Sequence, residues 1–424
     1  MANASGEKRT LQPRAESLAF TNAKKGIHTG TYGRHFKRSK SHKSIPAFQP
    51  SWMGNVFHFF PVYLMECGMS LAQVGILTSV PIVIGVFTGI LWSAFSDAIA
   101  RRKPFLIQST LLTALFTLST AFFSAFEELL ILGVLRSILI PPAEGLIVAN
   151  LLGMSDYRTR ATTYSGFAVW GSLGWAAATG LAGVVVQAFG IKAALYLATL
   201  LFAAALVTAF FIPELQTRRE GTLAKPLHVP ISHFSMLKAL LINRKLAVFL
   251  LFSLPLALAI NASARFFPIY LDTLGALPLL IGLVFTVPAL LEVPVFPRVG
   301  KLCDQWGRKK PLLIFSATVY GSLFLLLAFT AHPLVLFAIY SVLAPLAWPS
   351  LITGASTLVS EIVPEEQWVT AQNVFTIWMW SIGGILGPLI GGFISNLLGL
   401  RPMFGIVATL AFVSALLFTK IEES

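Results

Sequence analysis

Four ionisable residues stand inside long apolar runs of this sequence: Arg136 and Glu144 in one run, Arg265 in a second and Glu292 in a third. A charge at the centre of a membrane helix costs about 2.5–3.5 kcal/mol on insertion scales, so each is expected to have a purpose. A carboxyl group enclosed by apolar walls can take up and release a proton near neutral pH, and Glu292 and Glu144 are the candidates. Proline accompanies both: Pro141-Pro142 precede Glu144, while Pro288 and Pro294 bracket Glu292. A proline ring removes a backbone donor and frees a carbonyl, which makes bent, polar walls. Arg136 and Glu144, eight residues apart, are separated by roughly 12 Å along a helix, too far to pair directly. The competing reading of each charge is an interhelical salt bridge that only holds the fold. Arg265 lies near the end of its run, where an arginine can also snorkel to the interface.

The elements that must position these groups are membrane helices. The chain has 424 residues, 56% hydrophobic and only 12% charged, with a mean hydropathy of +0.77. A soluble domain needs about 25% charged residues to face water. Apolar runs fall at roughly 73–96, 104–126, 129–152, 162–188, 190–213, 246–271, 276–299, 311–331, 333–359, 370–398 and 400–420, with a weaker one at 45–64. Each is near the ~20 residues a helical span requires. Membrane-barrel strands would be about 10 residues of alternating polarity, so the expectation is an all-α membrane protein with twelve transmembrane helices.

Basic residues set the orientation. Alternate loops carry Arg101-Arg102-Lys103, Arg158 and Arg160, Arg218 through Lys245, and Arg308-Lys309-Lys310; the others hold only Lys192 and Arg401. Both termini are therefore expected in the cytoplasm, and no apolar segment of a signal peptide follows the basic start. The net charge is +13, of which residues 1–44 supply +8 (ten Lys/Arg against Glu7 and Glu16), so the balance is no nucleic-acid signature. Cys67 and Cys303, the two cysteines, fall on opposite sides of this topology and offer neither a disulfide framework nor a metal site.

The sequence also repeats itself at an offset of 207. Phe59-Phe60-Pro61-Val62-Tyr63-Leu64 returns as Phe266-Phe267-Pro268-Ile269-Tyr270-Leu271, and Gly68, Gly75, Val80-Pro81, Asp97 and Arg101 match Gly275, Gly282, Val287-Pro288, Asp304 and Arg308. From 59 to 107, 16 of 49 positions are identical. Shared hydrophobicity would not hold Pro, Asp and Tyr in register. Two parallel six-helix repeats are expected, an architecture that puts a substrate site at mid-membrane between the halves. The expected organisation is a basic cytoplasmic tail at 1–44, halves at 45–213 and 246–424, and a cytoplasmic linker at 214–245.

The segment from Gly300 through Asp304, Gly307, Arg308 and Lys309 to Lys310 resembles the loop motif of the major facilitator superfamily between its eighth and ninth helices. The earlier copy, from Ser93 through Asp97 to Arg101, Arg102 and Lys103, departs from it: Ser93 and Ala100 stand where glycines are usual. The resemblance covers about residues 59–420 and implies the major facilitator fold, a small-molecule substrate, no cofactor and no metal, and sufficiency of a monomer. It also implies gating by these loops, with Asp97, Arg101, Arg102, Gly300, Asp304, Gly307, Arg308 and Lys309 locking one face; the alternative is that the basic residues only set topology. Arg136 resembles the arginine that the superfamily often carries in its fourth helix, linked there to proton coupling. The run from Ser381 to Gly392, with Gly387-Pro388, resembles an exporter pattern, but that pattern belongs in the fifth helix and this one lies in the eleventh. Close helix packing explains its small residues equally well.

Candidate cavity residues are polar or aromatic positions on the same helices: Asn261, Gln372, Asn373 and Trp380 first, then Phe266, Phe267, Trp348 and Trp378. His58 occupies the repeat position of Arg265. The front end is anomalous, since residues 39–58 are polar where the repeat demands an apolar first helix. A tail docked on the membrane, a targeting extension and an incorrectly assigned start or frame are the three readings, and the last is favoured.

The expected function is secondary active transport of a small organic solute by alternating access, proton-coupled because membrane carboxylates are present and a nucleotide-binding loop is not. Leu291-Glu292-Val293-Pro294 loosely resembles sugar permeases, so a sugar-like solute is favoured, with multidrug proton antiport as the alternative. A non-transporting sensor of transporter fold is the third reading. An enzyme is not expected, because no span carries paired carboxylates or clustered histidines. The expected location is the plasma (inner) membrane, with the bilayer, protons and the solute as partners and no nucleic acid.

Overall fold

The computed structural model describes residues 53–99, 103–140, 160–211, 243–306, 308–363 and 368–421, all within one compact unit, Pro46–Ser424. Every regular element among them is helical. In chain order they are α1 (Met53–Glu66), α2 (Leu71–Ile99), α3 (Lys103–Thr120), α4 (Phe126–Leu139), α5 (Arg160–Phe189), α6 (Lys192–Phe211), α7 (Arg244–Thr273), α8 (Pro278–Trp306), α9 (Lys310–Phe329), α10 (Pro333–Ile362), α11 and α12 (Leu400–Phe418). The rod α11 runs through Trp368–Ile377, a π-helical turn at Trp378–Ile382, and Gly383–Leu398. Eight helices among the described residues are long and apolar enough to cross a membrane. The protein is a multi-pass integral membrane protein. The expected tail at 1–44, the linker up to residue 242 and Glu144 lie outside the described residues.

The turns show why the helices begin and end where they do. At Gly68 (φ 82°) and Gly275 (φ 76°) the backbone enters the left-handed region, which costs a glycine nothing. The N–H of Met69 then reaches back to the carbonyl of Leu64, and that of Ala276 to Leu271, satisfying the last helical carbonyls. Gly190 and Gly399 end α5 and α11 with φ of 82° and 93°. Ser70 and Gln73 cap the start of α2 reciprocally, and the Asn243 side chain caps α7. These four glycines mark one end of the bundle, the glycine end; Lys103, Lys309 and Lys310 mark the opposite, lysine end.

Several contacts recur at the sequence offset. The Tyr63 hydroxyl donates to the carbonyl of Phe123 (2.7 Å), and Tyr270 to that of Thr330 (2.6 Å). Lys103 Nζ donates to the Phe210 carbonyl at the end of α6, and Lys310 Nζ to the Ile421 carbonyl beyond α12. A lysine there neutralises orphan carbonyls at the negative end of a helix dipole.

Bilayer lipid is as apolar as leucine, so helices associate by close packing rather than by escape from water. Two seams depend on glycine. On one, α2 meets α11: a Cβ on Gly75 would sit 2.6 Å from the Pro388 carbonyl oxygen, and one on Gly392 2.7 Å from that of Leu71. On the other, α5 meets α8: a Cβ on Gly183 would sit 2.9 Å from the Pro278 oxygen, and one on Gly282 2.8 Å from that of Thr179. Thr286 adds a hydrogen bond to the Ala176 carbonyl (3.0 Å). The tips of α1 and α7 also touch at the glycine end. Nearer the lysine end, a Cβ on Gly89 of α2 or Gly300 of α8 would meet nothing within 4 Å.

Candidate functional site

The described ionisable residues expected in the spans stand on α4, α7 and α8. Arg136 occupies the last turn of α4, which stops because Pro141-Pro142 follow and cannot continue the donor ladder. The carbonyls left over are capped from α2: Thr88 donates to Ser137 (2.6 Å) and Trp92 Nε1 to Ile138 (2.9 Å). That bonding fixes the turn bearing Arg136, an exposed residue. Arg265 on α7 lies within electrostatic reach of it. The Cα atoms of the two arginines sit roughly 15 Å and 12 Å from the glycine end, counted along their helices.

His58 on α1 belongs to the same layer and lies within electrostatic reach of Arg265. It is buried, stacked on Phe285 (centroids 3.6 Å apart) and edge-on to Trp175 (5.4 Å). Phe285 continues the wall to Tyr340 (5.6 Å) and Phe267 (6.0 Å), which themselves stack at 4.9 Å. Glu292 lies deeper, roughly 21 Å from the glycine end. It is half-buried in α8, with the hydroxyls of Tyr320 (α9) and Tyr340 (α10) within its electrostatic reach. Tyr340 thus links the two groups, within electrostatic reach of Glu292 and in ring contact with Phe285, on which His58 stacks.

The expected cavity residues divide into two kinds. Asn261 is buried, and its amide donates to the carbonyls of Ala257 and Met379, both at 2.9 Å. The second bond clasps α7 to the π turn of α11, where an added residue leaves a carbonyl out of the α ladder. Gly383 and Gly387 make room for it: a Cβ on Gly383 would meet the Asn261 amide at 2.8 Å. Gln372 likewise donates to the Ser356 carbonyl (2.6 Å) and the Ser360 hydroxyl (3.1 Å), joining α11 to α10. Phe266 and Phe267 are fully buried and serve as wall. Asn373 and Trp380 are exposed on α11, and Trp380 packs against Trp348 at 5.6 Å.

The loop residues are only partly described. Arg101, Arg102 and Gly307, and the side chains of Asp97 and Asp304, lie outside the described residues. Arg308 is exposed, whereas Lys309 is buried in an ion pair with Glu361 at the end of α10. This pair, like the Lys103 and Lys310 caps, joins elements on one side of the seams. At the opposite end Glu66 closes α1, just beyond the expected span 45–64. Burial and the facing Asp272 carboxylate push its pKa above the ordinary glutamate range.

Sequence reasoning missed Trp175, Phe285, Tyr320, Tyr340 and Glu361. Aromatic residues abound in the spans, and nothing in their spacing marks these four as neighbours. Glu361 lies in a polar stretch, 52 residues beyond its partner.

The polytopic helical arrangement is a fold shared with solved structures. The nucleoside transporter NupG superposes with a TM-score of 0.73 over 89% of this chain and 96% of its own, at 18% identity. Residues 47–406 match the MFS_1 like family, and the chain belongs to that family. Maltose permease of Geobacillus stearothermophilus is 25% identical over 353 residues, 80% of this chain and 84% of that protein. The multidrug resistance protein MdtG of Proteus mirabilis is 31% identical over 153 residues, 35% of this chain. This match and that to the Serratia proteamaculans protein span only 37% and 39% of those relatives' lengths. These relatives carry the names of transport and resistance proteins, not enzymes.

Proposed function

We propose that the chain is a secondary active transporter that moves a small polar organic solute by alternating access, coupled to protons. It has twelve spans in two parallel six-helix halves, 45–213 and 246–424, joined by a linker at 214–245 and preceded by a tail at 1–44. Both termini and the lysine end face the cytoplasm of an inner membrane, as the basic loops require. The observation that carries the reading is the close approach of α2 to α11, and of α5 to α8, at Gly75, Gly392, Gly183 and Gly282, within the last two turns at the glycine end. Halves that meet closely at one end, with ionisable residues in their spans, are arranged to rock about a central site. The conformation is then inward-facing, with glycine seams sealing the outer side. Each half of the site comes from the same chain, so a monomer suffices.

Glu292 is the proposed proton carrier. It lies at mid-membrane depth between two helix-bending prolines, with two tyrosines in electrostatic reach. Arg136, Arg265 and Glu144 are proposed to sense its charge and the solute. The loop residues Arg308 and Lys309, with Asp97, Arg101, Arg102, Gly300, Asp304 and Gly307, act as the cytoplasmic gate that re-forms in the outward-facing state. Asn373 and Trp380 are the proposed solute contacts on α11, while Asn261 and Gln372 hold that helix in place.

The test is proton flux in proteoliposomes under an imposed pH gradient, followed with a pH dye against a panel of sugars and cationic drugs. Solute-evoked flux in the wild type that disappears in Glu292→Gln supports coupled transport and names the solute class. Flux that persists unchanged in Glu292→Gln removes the glutamate from the mechanism. Absence of evoked flux for every solute, with folded protein, refutes the coupled reading.

A further inference from the structure

We infer that the cleft between the start of α9 and the end of α12 binds an anionic phospholipid of the leaflet that faces the lysine end. The inference stands apart from the solute and the coupling proposed above. A cavity of about 550 Å³ opens there, lined by Arg308, Lys310, Pro311, Ile314, Phe315 and Ile421. The helices α9 and α12 pack closely against each other, and the bond from Lys310 Nζ to the Ile421 carbonyl (3.0 Å) closes one side of the cleft. Lys309 is committed elsewhere, to Glu361 on α10. Arg308 is exposed and supplies the charge. None of the six lining residues is acidic.

The depth of the cavity points to a lipid rather than to a soluble anion. With 20 residues, α9 rises about 30 Å, the thickness of the hydrocarbon core. Its first residue, Lys310, therefore stands level with the headgroup phosphates. Phe315 lies roughly 8 Å further in, level with the first methylenes of the acyl chains. Pro311, Phe315, Leu326 and Phe329 are exposed at helical spacing, while Leu312, Leu313, Ser316 and Ala317 are buried, so the exposed stripe is the bilayer face of α9. The cavity thus carries charge at its rim and apolar surface below, the order of a phospholipid. A guanidinium fork meets phosphate oxygens two at a time, and Ile314 and Phe315 offer a wall to the chain beneath. A choline headgroup would bring a second cation beside Arg308, which favours a lipid of net negative charge. The first half of the molecule keeps the lysine cap but not the wall. There Lys103 bonds the Phe210 carbonyl, and the position of Phe315 holds Gln108, whose amide donates to the Leu139 carbonyl (3.5 Å).

The experiment measures lipid binding to the full chain in detergent by native mass spectrometry. The probes are phosphatidylglycerol, phosphatidylcholine with the same acyl chains, and glycerol 3-phosphate as a headgroup without chains. Phosphatidylglycerol is expected to bind about fivefold or more tightly than phosphatidylcholine, the effect of one basic residue near an anionic surface. Arg308→Gln should erase that preference. Phe315→Gln, which copies the first half, should weaken both lipids, and Arg401→Gln, at the glycine end, should change neither. Equal binding of the two lipids, phosphatidylglycerol binding unchanged in folded Arg308→Gln or Phe315→Gln, or a loss as large in Arg401→Gln overturns the inference. Competition by glycerol 3-phosphate as strong as by the whole lipid overturns it too, because the apolar wall would then play no part. Glu422 and Glu423 follow Ile421 in the sequence. Lipid binding that appears only when both are replaced by glutamine would assign the cavity to those acids and refute the lipid.

Discussion

Replacing Gly75 with alanine tests whether the glycine seams seal one conformation rather than simply hold the fold. A Cβ at position 75 would lie 2.6 Å from the Pro388 carbonyl oxygen, where ordinary contact begins at 3.4 Å. The opposing atom is backbone, so α2 and α11 must separate by about 0.8 Å at that level. Overpacking of this size costs about 1–3 kcal/mol. Because the contact exists only while the glycine end is closed, the cost falls on that state alone and shifts the closed-to-open ratio by about 5- to 150-fold. Gly282→Ala acts on the other seam, with its Cβ 2.8 Å from the Thr179 oxygen. The two sites share no partners, so their effects should add. The assay is a spin-label distance between native Cys67 and Thr273→Cys, which end α1 and α7, in a Cys303→Ser background. A longer-distance population should appear in each single variant and dominate in the double. An unchanged distance distribution in folded Gly75→Ala and Gly282→Ala would refute the sealing role.

Four further outcomes follow from the same structure. Tyr63→Phe and Tyr270→Phe each delete a hydroxyl bond to a carbonyl that ends a neighbouring helix; each should lower stability by about 1 kcal/mol in reversible unfolding in detergent. Asn261→Ala leaves the Met379 carbonyl without its donor and should cost about 1–3 kcal/mol, while Asn373→Ala, exposed on the same rod, should leave the unfolding midpoint unchanged. A double-mutant cycle on Lys309→Met and Glu361→Gln should give a coupling of about 0.5–1 kcal/mol, because Lys309 is buried while Glu361 is exposed and screened; a coupling near zero would mean that the pair does not anchor the α8–α9 turn. Glu66 binds its proton more tightly where Asp272 faces it than it would with the ends of α1 and α7 apart. Closure of the glycine end should therefore strengthen as pH falls through its titration and weaken as pH rises. Glu66→Gln should flatten that dependence in the same spin-label assay.

Much of the fold was legible because the bilayer imposes one rule on every span. A helix must be about 20 residues and apolar, so the expected runs at 73–96, 162–188 and 311–331 coincide with α2, α5 and α9 to within three residues at each end. Pro, Gly and Tyr at fixed offsets are legible for the same reason. Gly68 and Gly275 must turn left-handed, and Tyr63 and Tyr270 must find a carbonyl, wherever the chain stands. The candidate site was legible only as a set of charges. That Arg136, Glu144, Arg265 and Glu292 should matter follows from the insertion cost of each alone.

Which of them meet is a tertiary matter. Arg136 and Arg265 are 129 residues apart in the sequence, yet Arg136 lies within electrostatic reach of Arg265. Glu292 has Tyr320 and Tyr340 within electrostatic reach because α10 packs against both α8 and α9. Asn261 and Gln372 read as solute contacts in a linear sequence, since an amide on a membrane helix must bond to something. Only the packed structure shows that the something is the π turn of α11 and the serines of α10. The sequence by itself determined where the chain crosses and where it turns, because lipid acts on each segment independently. The tertiary structure alone decided which polar groups face one another, because that depends on how helices rotate and approach, and on glycines that allow two backbones to touch.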